Sequence, residues 1–517
     1  MKKTKRFHLN EIFLRFTVHR WNMGSGKADQ MIERKEFLEL LRKWKDRDLI
    51  KVVTGVRRCG KSTVLEAFAN RLAKEGVPRN ALLRMDFESE EFDGMRSVEE
   101  ARAWLDAHRP AGMRTMVFLD EVQRLPDFER LVDGLHHRGD TDVYVTGSNA
   151  RLLSGELASH LSGRYVELPL QPLSFREFCE GTGRDPDAPA TWRDFTRFGA
   201  FPYVQALGGD PVLVDGYLEG LYNTVLVRDI LEKTGISDAS RLRRVARYLF
   251  DNVGNLTSVA KIADTLTSAG TKTVYNTVDA YVEALCAAYL FRRAERFDVK
   301  GRELLKSGGK YYAVDMGLRG TVLSHRASDE GRVLENVVFN ELSRRGGGVF
   351  TGKAGDREID FVVRNGGETA YFQVAATLRG PGVLERELAP LRAVDDNFPK
   401  TVITLDPIPR STEDGIICLH AVDFLLGRAE RASGGSTQWK RVSGFFPHNG
   451  NMFPEIFHTM EACFGHFSTQ WKRVSRRFST VWKGGGGGRP GWGGAGGRRK
   501  NLRKSAERGL TFGPRSG

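Results

Sequence analysis

Short apolar runs alternate with amphipathic stretches along most of this chain, and the alternation changes character from region to region. From residue 31, IERKEFLELLRKWKDRDLIKVVTGV sets apolar side chains at helical spacing and then closes into an apolar run. A helix leading into a buried strand is expected there. The same alternation recurs to about residue 195, with strands expected at 50–54, 82–87, 116–119, 143–146 and 165–168. Apolar strands separated by amphipathic helices predict a parallel sheet covered on both faces, an α/β domain over 31–195. Residues 196–245 keep only the helical period and read as a lid or linker. Over 246–325, SVAKIADTL and TKTVYNTVDAYVEALCAAYLF precede ERFDVKGRELLKSGGKYYAVD. Two helices followed by a polar-tipped hairpin outline a winged-helix module. Residues 326–430 return to α/β, with a helix at LENVVFNELSRR and strands around Phe350, 360–363, 370–374 and 401–405.

The two ends break these patterns. Residues 1–30 are basic and weakly patterned, and read as an appended leader outside the fold. Residues 431–517 carry GGGGG at 484–488 and the same octapeptide, STQWKRVS, at 436–443 and 468–475. With no recurrent apolar face between the copies, this tail is expected to be disordered. It reads as a translated non-coding or frameshifted end as readily as a functional arm.

Length and charge sharpen this division. At roughly 100–200 residues per domain, 517 residues imply three or four domains. The formal net charge is +14, but the tail holds sixteen basic and three acidic residues, leaving 63 against 62 in the first 430. The body is nearly neutral, so its charge does not argue for nucleic acid. Trp471, Trp482 and Trp492 among the tail's basic residues mimic a nucleic-acid arm. No apolar run approaches the ~18 residues of a membrane span, and the first residues lack an apolar signal core. The five cysteines (Cys59, Cys179, Cys286, Cys418, Cys463) are scattered, with no CxxC, so neither a disulfide framework nor a zinc site is indicated. The cytoplasm is the expected location.

The most specific chemistry lies at residues 55–62, GVRRCGKS, which is the GxxxxGK[ST] phosphate loop placed between a strand and a helix. Gly55 and Gly60 let backbone N–H groups face phosphate oxygens, and the helix N-terminus adds a favourable dipole. Lys61 is expected on the β- and γ-phosphates, Ser62 on Mg²⁺, and Thr63 at the next helical position joins the nucleotide-binding set. Arg57 and Arg58 read as solvent-facing and Cys59 as a small filler. MVFLDE at 116–121 is an apolar strand ending in two acids, with Asp120 expected to hold Mg²⁺ and Glu121 to polarise the attacking water. Ser148 or Asn149, at the tip of the next strand, fits a γ-phosphate sensor. Arg164, entering the strand after that, reads either as a finger acting on a neighbouring subunit's ATP or as a surface arginine, with Arg151 competing for the role.

TGVRRCGKST, VFLDEVQ, VTGSNARLL, SGRYVELPLQPLSFREF and GAFP, taken in order, resemble a prokaryotic family of AAA-type ATPases with a C-terminal domain of unknown function. The resemblance runs from about Met31 to about Glu430. It implies an additional-strand P-loop core, a helical lid, a winged-helix module and a C-terminal domain similar to restriction-endonuclease-like folds. The family's phosphate-site residues carry over to Gly55, Gly60, Lys61, Ser62, Asp120 and Glu121.

Within 326–430, Glu335, then Glu358 and Asp360, then Gln373, Val374 and Ala375 resemble a PD-(D/E)XK nuclease core in which ExK has become QVA. A carboxylate ligand becomes an amide and the lysine a methyl group, so metal affinity and water activation should both fall. Lys353 or Arg357 is the candidate to replace that lysine. A degenerate, non-cleaving module is therefore expected. Lys272, Tyr275 and Asn276, at the start of the second winged-helix helix, could enter a major groove or meet a protein. Two functions follow. One is an ATP-hydrolysing switch or motor acting on DNA. The other is a nucleotide-switched interaction or signalling protein with slow turnover, working as a homo-oligomer or with a protein partner.

Overall fold

The computed structural model describes residues 32–150, 163–324, 329–407, 412 and 414–428. The leader 1–30, Arg151 and the tail 431–517 lie outside them.

The first sheet is built from the strands that the apolar runs predict. Helix α1 (Lys35–Trp44) leads into β1 (Ile50–Thr54), followed by α2 (Lys61–Lys74), β2 (Leu82–Asp86), α3 (Val98–His108), β3 (Thr115–Asp120), α4 (Phe128–His137), β4 (Thr141–Gly147) and β5 (Tyr165–Pro169). Their order is β2-β3-β4-β1-β5, every neighbouring pair parallel. This is the α/β sheet of a P-loop NTPase. Alternate residues of each strand enter different cores, as a sheet covered on both faces requires. Ile50, Val52, Val117, Leu119, Val143 and Val145 pack towards α3 and α4. Val53, Phe118, Tyr144, Val166 and Leu168 face α1, α2 and the helices that follow.

Those helices are α5 (Phe175–Thr182), α6 (Pro189–Phe198), a short turn at Pro202–Gln205 and α7 (Pro211–Thr224). A π-helical stretch, Val225–Leu231, continues α7 before α8 (Ala239–Asp251). Next come α9 (Val259–Ser268), α10 (Tyr275–Ala287) and the antiparallel hairpin β6 (Phe291–Asp298) and β7 (Glu303–Ala313). The hairpin, expected as a wing, forms the edge of a second sheet. Three residues of β6 pair in parallel with β8 (Gly348–Ala354), making a seven-stranded sheet in the order β12-β11-β10-β9-β8-β6-β7. Helices α11 (Met316–Leu323) and α12 (Glu330–Arg345) precede β8. Then come β9 (Arg357–Asn365), β10 (Glu368–Ala375), α13 (Val383–Arg392), β11 (Lys400–Thr404), β12 (Ile417–His420) and α14 (Ala421–Leu426).

One apolar cluster runs from Val53 and Phe118 through Phe250 and Phe291 to Phe361 and Phe372, so both sheets and the helices between them share a core. Among the described residues no helix is long and apolar enough to cross a membrane. Cys59, Cys179, Cys286 and Cys418 are free thiols.

Candidate active site

Parallel strands bring their carboxyl ends together, and the motif residues lie there. Leu170 N–H donates to the Thr54 carbonyl at 2.7 Å, closing the end of β5 against the start of the loop. Gly55 follows with φ +147°, and a Cβ on it would stand 2.1 Å from the Leu170 oxygen, so no larger residue fits. Gly60, at φ +102°, turns the chain into α2. Val64 N–H bonds back to its carbonyl at 2.9 Å. Cys59 is buried and its thiol pushed up by that burial, in keeping with a filler.

Lys61 is buried at the head of α2, its Nζ donating to the carbonyls of Gly55 (3.1 Å) and Val56 (3.3 Å). Glu121 Oε1 lies 3.6 Å away, longer than a charge-assisted hydrogen bond. Ser62 is half-buried and Thr63 exposed on the same turn. Asp120 ends β3 fully buried, accepting from Thr146 Oγ1 on one oxygen and from Arg84 Nη2 (3.0 Å) on the other. Thr146 Oγ1 also accepts from the Glu121 N–H at 2.8 Å, so one hydroxyl fixes both acids. Glu121 Oε2 takes bonds from Gln123 Nε2 and from Ser148 Oγ, the latter at 3.3 Å. Asn149 Nδ2 donates to the carbonyl of Asp229 at 3.0 Å.

The structure thus gathers Gly55, Gly60, Lys61, Asp120, Glu121, Ser148 and Asn149, with Ser62 and Thr63 beside Lys61. Arg164 lies elsewhere. Its carbonyl accepts from Ile50 N–H, which puts it at the amino end of β1 and β5, the far end from the phosphate loop. There it is 45% exposed and donates to Asp133 Oδ1 at 3.0 Å. It contributes nothing to the site of its own chain.

Three residues of the site escape a motif-based reading. Arg57, expected in solvent, has a side chain only 10% exposed, bonded through Nε to Asp229 Oδ2 (3.2 Å) and through Nη1 and Nη2 to Glu88 Oε1 (3.1 and 3.0 Å). Burial opposes the Glu88 charge, but Arg57 and Arg124 outweigh it and hold the carboxyl below its ordinary range. Asp229, on the π-helical stretch, has no local signal at all. Arg34, ahead of α1, bonds to Glu177 Oε1 (2.6 Å) and reaches the carbonyls of Gln171 (3.1 Å) and Cys59 (3.4 Å), bracing the loop from behind. Burial works against the Glu177 charge, yet Arg34 keeps its carboxyl below the usual range.

Asp120 and Ser62 both offer the hard oxygen donors a divalent ion takes, and the Asp120 carboxylate is bonded here to Arg84.

The second sheet carries its own polar centre. Lys310 of β7, 3% exposed, sets its ammonium 2.7 Å from Glu358, 2.8 Å from Glu335 and 3.1 Å from Asp360. Tyr312 donates to Glu335 at 2.7 Å, and Val374 N–H to Asp360 at 2.9 Å. Gln373 accepts from Asp360 N–H at 3.4 Å and donates to Glu387 at 3.2 Å. The ammonium among these acids comes from Lys310 rather than from Lys353 or Arg357; Arg357 donates to the Ala389 carbonyl instead. Burial, then the Asp360 charge, pushes the Glu335 carboxyl up to about 7. Among the described residues no group of three or more His, Cys, Asp or Glu side chains is arranged to hold a metal ion.

Comparison with known proteins finds two family models along the chain. Residues 47–179 match the family model of an AAA domain, and 190–329 match a domain of unknown function (DUF8612). The second match covers the helices and hairpin, ahead of the C-terminal segment where the resemblance placed such a domain. An uncharacterized protein of Haemophilus influenzae is 36% identical over 400 residues, covering 77% of this chain and 99% of its own length. An uncharacterized protein of Methanocaldococcus jannaschii is 28% identical over 66% of this chain and 77% of its own. Among solved structures, a Walker-type ATPase of Pyrococcus abyssi is 15% identical over 56% of this chain and 96% of that one, with a TM-score of 0.38. The Aeropyrum pernix Orc1 protein in complex with DNA is 14% identical over 59% and 95%, with a TM-score of 0.27.

Proposed function

Since this chain belongs to the family of the Haemophilus influenzae protein that it matches almost end to end, and carries an AAA domain, we propose that it binds and hydrolyses ATP. The observation that carries this reading is Glu121, a buried residue whose backbone N–H is tied to Thr146 and whose carboxylate, held by Gln123 and Ser148, lies one residue after Asp120 and 3.6 Å from the phosphate-loop lysine. Backbone N–H groups from Gly55 to Gly60 bind the phosphates, and Lys61 exchanges its two carbonyl partners for the β- and γ-oxygens. Ser62 and Asp120 would hold Mg²⁺, which would neutralise phosphate charge. Glu121 orients the attacking water and accepts its proton, while Ser148 or Asn149 touches the γ-phosphate. Arg164 acts, if at all, on the site of a neighbouring copy.

The cycle works as a conformational switch or motor. The shared core supports this reading, because movement at the phosphate site reaches the second sheet through packed side chains. Helices α9 and α10 with the hairpin favour a winged-helix-like unit whose exposed Lys272, Tyr275 and Asn276 meet DNA. Lys310 within the acids of the second sheet favours a nuclease-like module that does not cleave. The same observation supports the second reading, a nucleotide-switched interaction protein.

Phosphate release by the full-length chain, with and without duplex DNA, tests this. Turnover that DNA stimulates, and that Lys61→Ala and Glu121→Gln abolish, is expected. Turnover unaffected by either substitution overturns the site, and turnover indifferent to DNA turns the search to protein partners.

A further inference from the structure

Asp229 is the most heavily engaged side chain of the helical region, with 1% of it exposed. Its carboxylate accepts from Arg57 Nε (3.2 Å), Ser148 Oγ (3.3 Å) and Lys233 Nζ (3.2 Å), and its carbonyl from Asn149 Nδ2 (3.0 Å). One residue therefore joins the phosphate loop to both residues at the tip of β4. It sits on the π-helical stretch Val225–Leu231, a widening of the helix frequent at functional sites. Ser148 Oγ is also 3.3 Å from Glu121 Oε2, and a hydroxyl with one hydrogen donates to one carboxylate at a time. Glu121, Ser148, Asp229, Arg57 and Glu88 are linked in series, with Ser148 shared between Glu121 and Asp229 and Lys61 3.6 Å beyond Glu121.

We propose that Arg57 reads the terminal phosphate of ATP within its own chain, and that Asp229 is the positioning residue that holds it for the helical lid. The proposal rests on the reading of residues 55–62 as an ATP site. Arg57 belongs to the loop that wraps the phosphates, and its guanidinium is divided between two carboxylates, Asp229 and Glu88. A triphosphate arriving at the loop brings a third, more highly charged anion into competition for that planar fork. The γ-phosphate wins Arg57, and Asp229 loses its strongest partner in the loop. Ser148 and Asn149, both bonded to Asp229, then shift with it, so the lid registers whether a third phosphate is present. A diphosphate is too short to compete, and the Arg57–Asp229 pair stays closed with ADP. The arginine that a finger in trans would supply is thus already present in cis.

The test is direct binding of ADP and of a non-hydrolysable ATP analogue, each with Mg²⁺, to the full-length chain. Arg57→Ala is expected to weaken the ATP analogue by roughly tenfold to a hundredfold, the range for a hydrogen bond to a charged group, and to leave ADP within about twofold. Asp229→Asn removes one of the two competing carboxylates but keeps the acceptor for Ser148 and the carbonyl for Asn149, so the analogue should bind several-fold tighter. That gain should vanish when Arg57→Ala is added, a coupling that a merely structural role would not produce. The double variant also removes the buried carboxylate that Arg57→Ala leaves with Lys233 and Ser148 as its partners, and its ADP binding reports that the chain is folded. Equal losses for ADP and the analogue, or additive effects of the two substitutions, overturn the proposal. Binding of neither nucleotide by the unsubstituted chain overturns the ATP site itself.

Discussion

Two buried lysines, one beneath each sheet, have opposite surroundings. Lys61 has two backbone carbonyls for partners and a carboxylate no closer than 3.6 Å. Lys310 has three carboxylates within 3.1 Å. For Lys310, burial disfavours the charge, but Asp360, Glu335 and Glu358 outweigh it and raise the affinity for the proton well above the ordinary. An ammonium held by neutral oxygens can be given up to a phosphate. One caged by three anions cannot leave without stranding them in low dielectric. Sequestration thus distinguishes a site made for a ligand from one made for the fold, although each is a lysine among acids.

The largest effect should come from breaking the cage. Lys310→Ala leaves the shielded Glu335 and Asp360, and the half-exposed Glu358, without their cation and should cost about 3–5 kcal/mol of stability, read as a lower unfolding midpoint in urea. Lys61→Ala forfeits the bonds of one ammonium to two carbonyls and should cost less, about 1.5–3 kcal/mol, while removing nucleotide binding. Nearly as large, but confined to turnover, is Glu121→Gln. It keeps the shape of the site and loses the base, so phosphate release should fall by roughly 10²–10⁴ with nucleotide affinity kept.

A smaller effect follows from Glu335. The folded state holds its proton more tightly than the unfolded chain, so its contribution is whole below the ordinary value of 4.5 and is lost as pH rises through about 7. Urea midpoints should therefore decline between pH 5 and pH 8, and Glu335→Gln should flatten that decline. An unchanged slope in the variant would remove Glu335 as its source. The smallest effect belongs to Arg164→Ala. Its exposed pair with Asp133 is worth at most about 1 kcal/mol, and turnover at high dilution should not change. A loss that grows with protein concentration would instead place Arg164 in a neighbour's site.

What was legible in the sequence follows from range. All five strands of the first sheet lie where apolar runs put them, because burial on both faces writes itself into consecutive residues. Gly55, Gly60, Lys61, Asp120 and Glu121 were legible because strand, turn and helix are contiguous in the chain. Arg57 was misjudged because its partner Asp229 is 172 residues away and carries no motif. Lys310 was missed for the same reason. Its three acids lie from 25 to 50 residues further on, and its own strand read as part of a wing. The hairpin's place in the second sheet rests on the three-residue pairing of β6 with β8, which no local periodicity encodes. Arg34 sits in a well-patterned helix start, but its role depends on Glu177, 143 residues later.

The most direct test is calorimetric titration of the full-length chain with MgATP, beside Glu121→Gln and Lys61→Ala. The unsubstituted chain and Glu121→Gln should bind one nucleotide per chain with similar affinity, and Lys61→Ala should bind none. Binding by Lys61→Ala at undiminished affinity would contradict the assignment of the phosphate site.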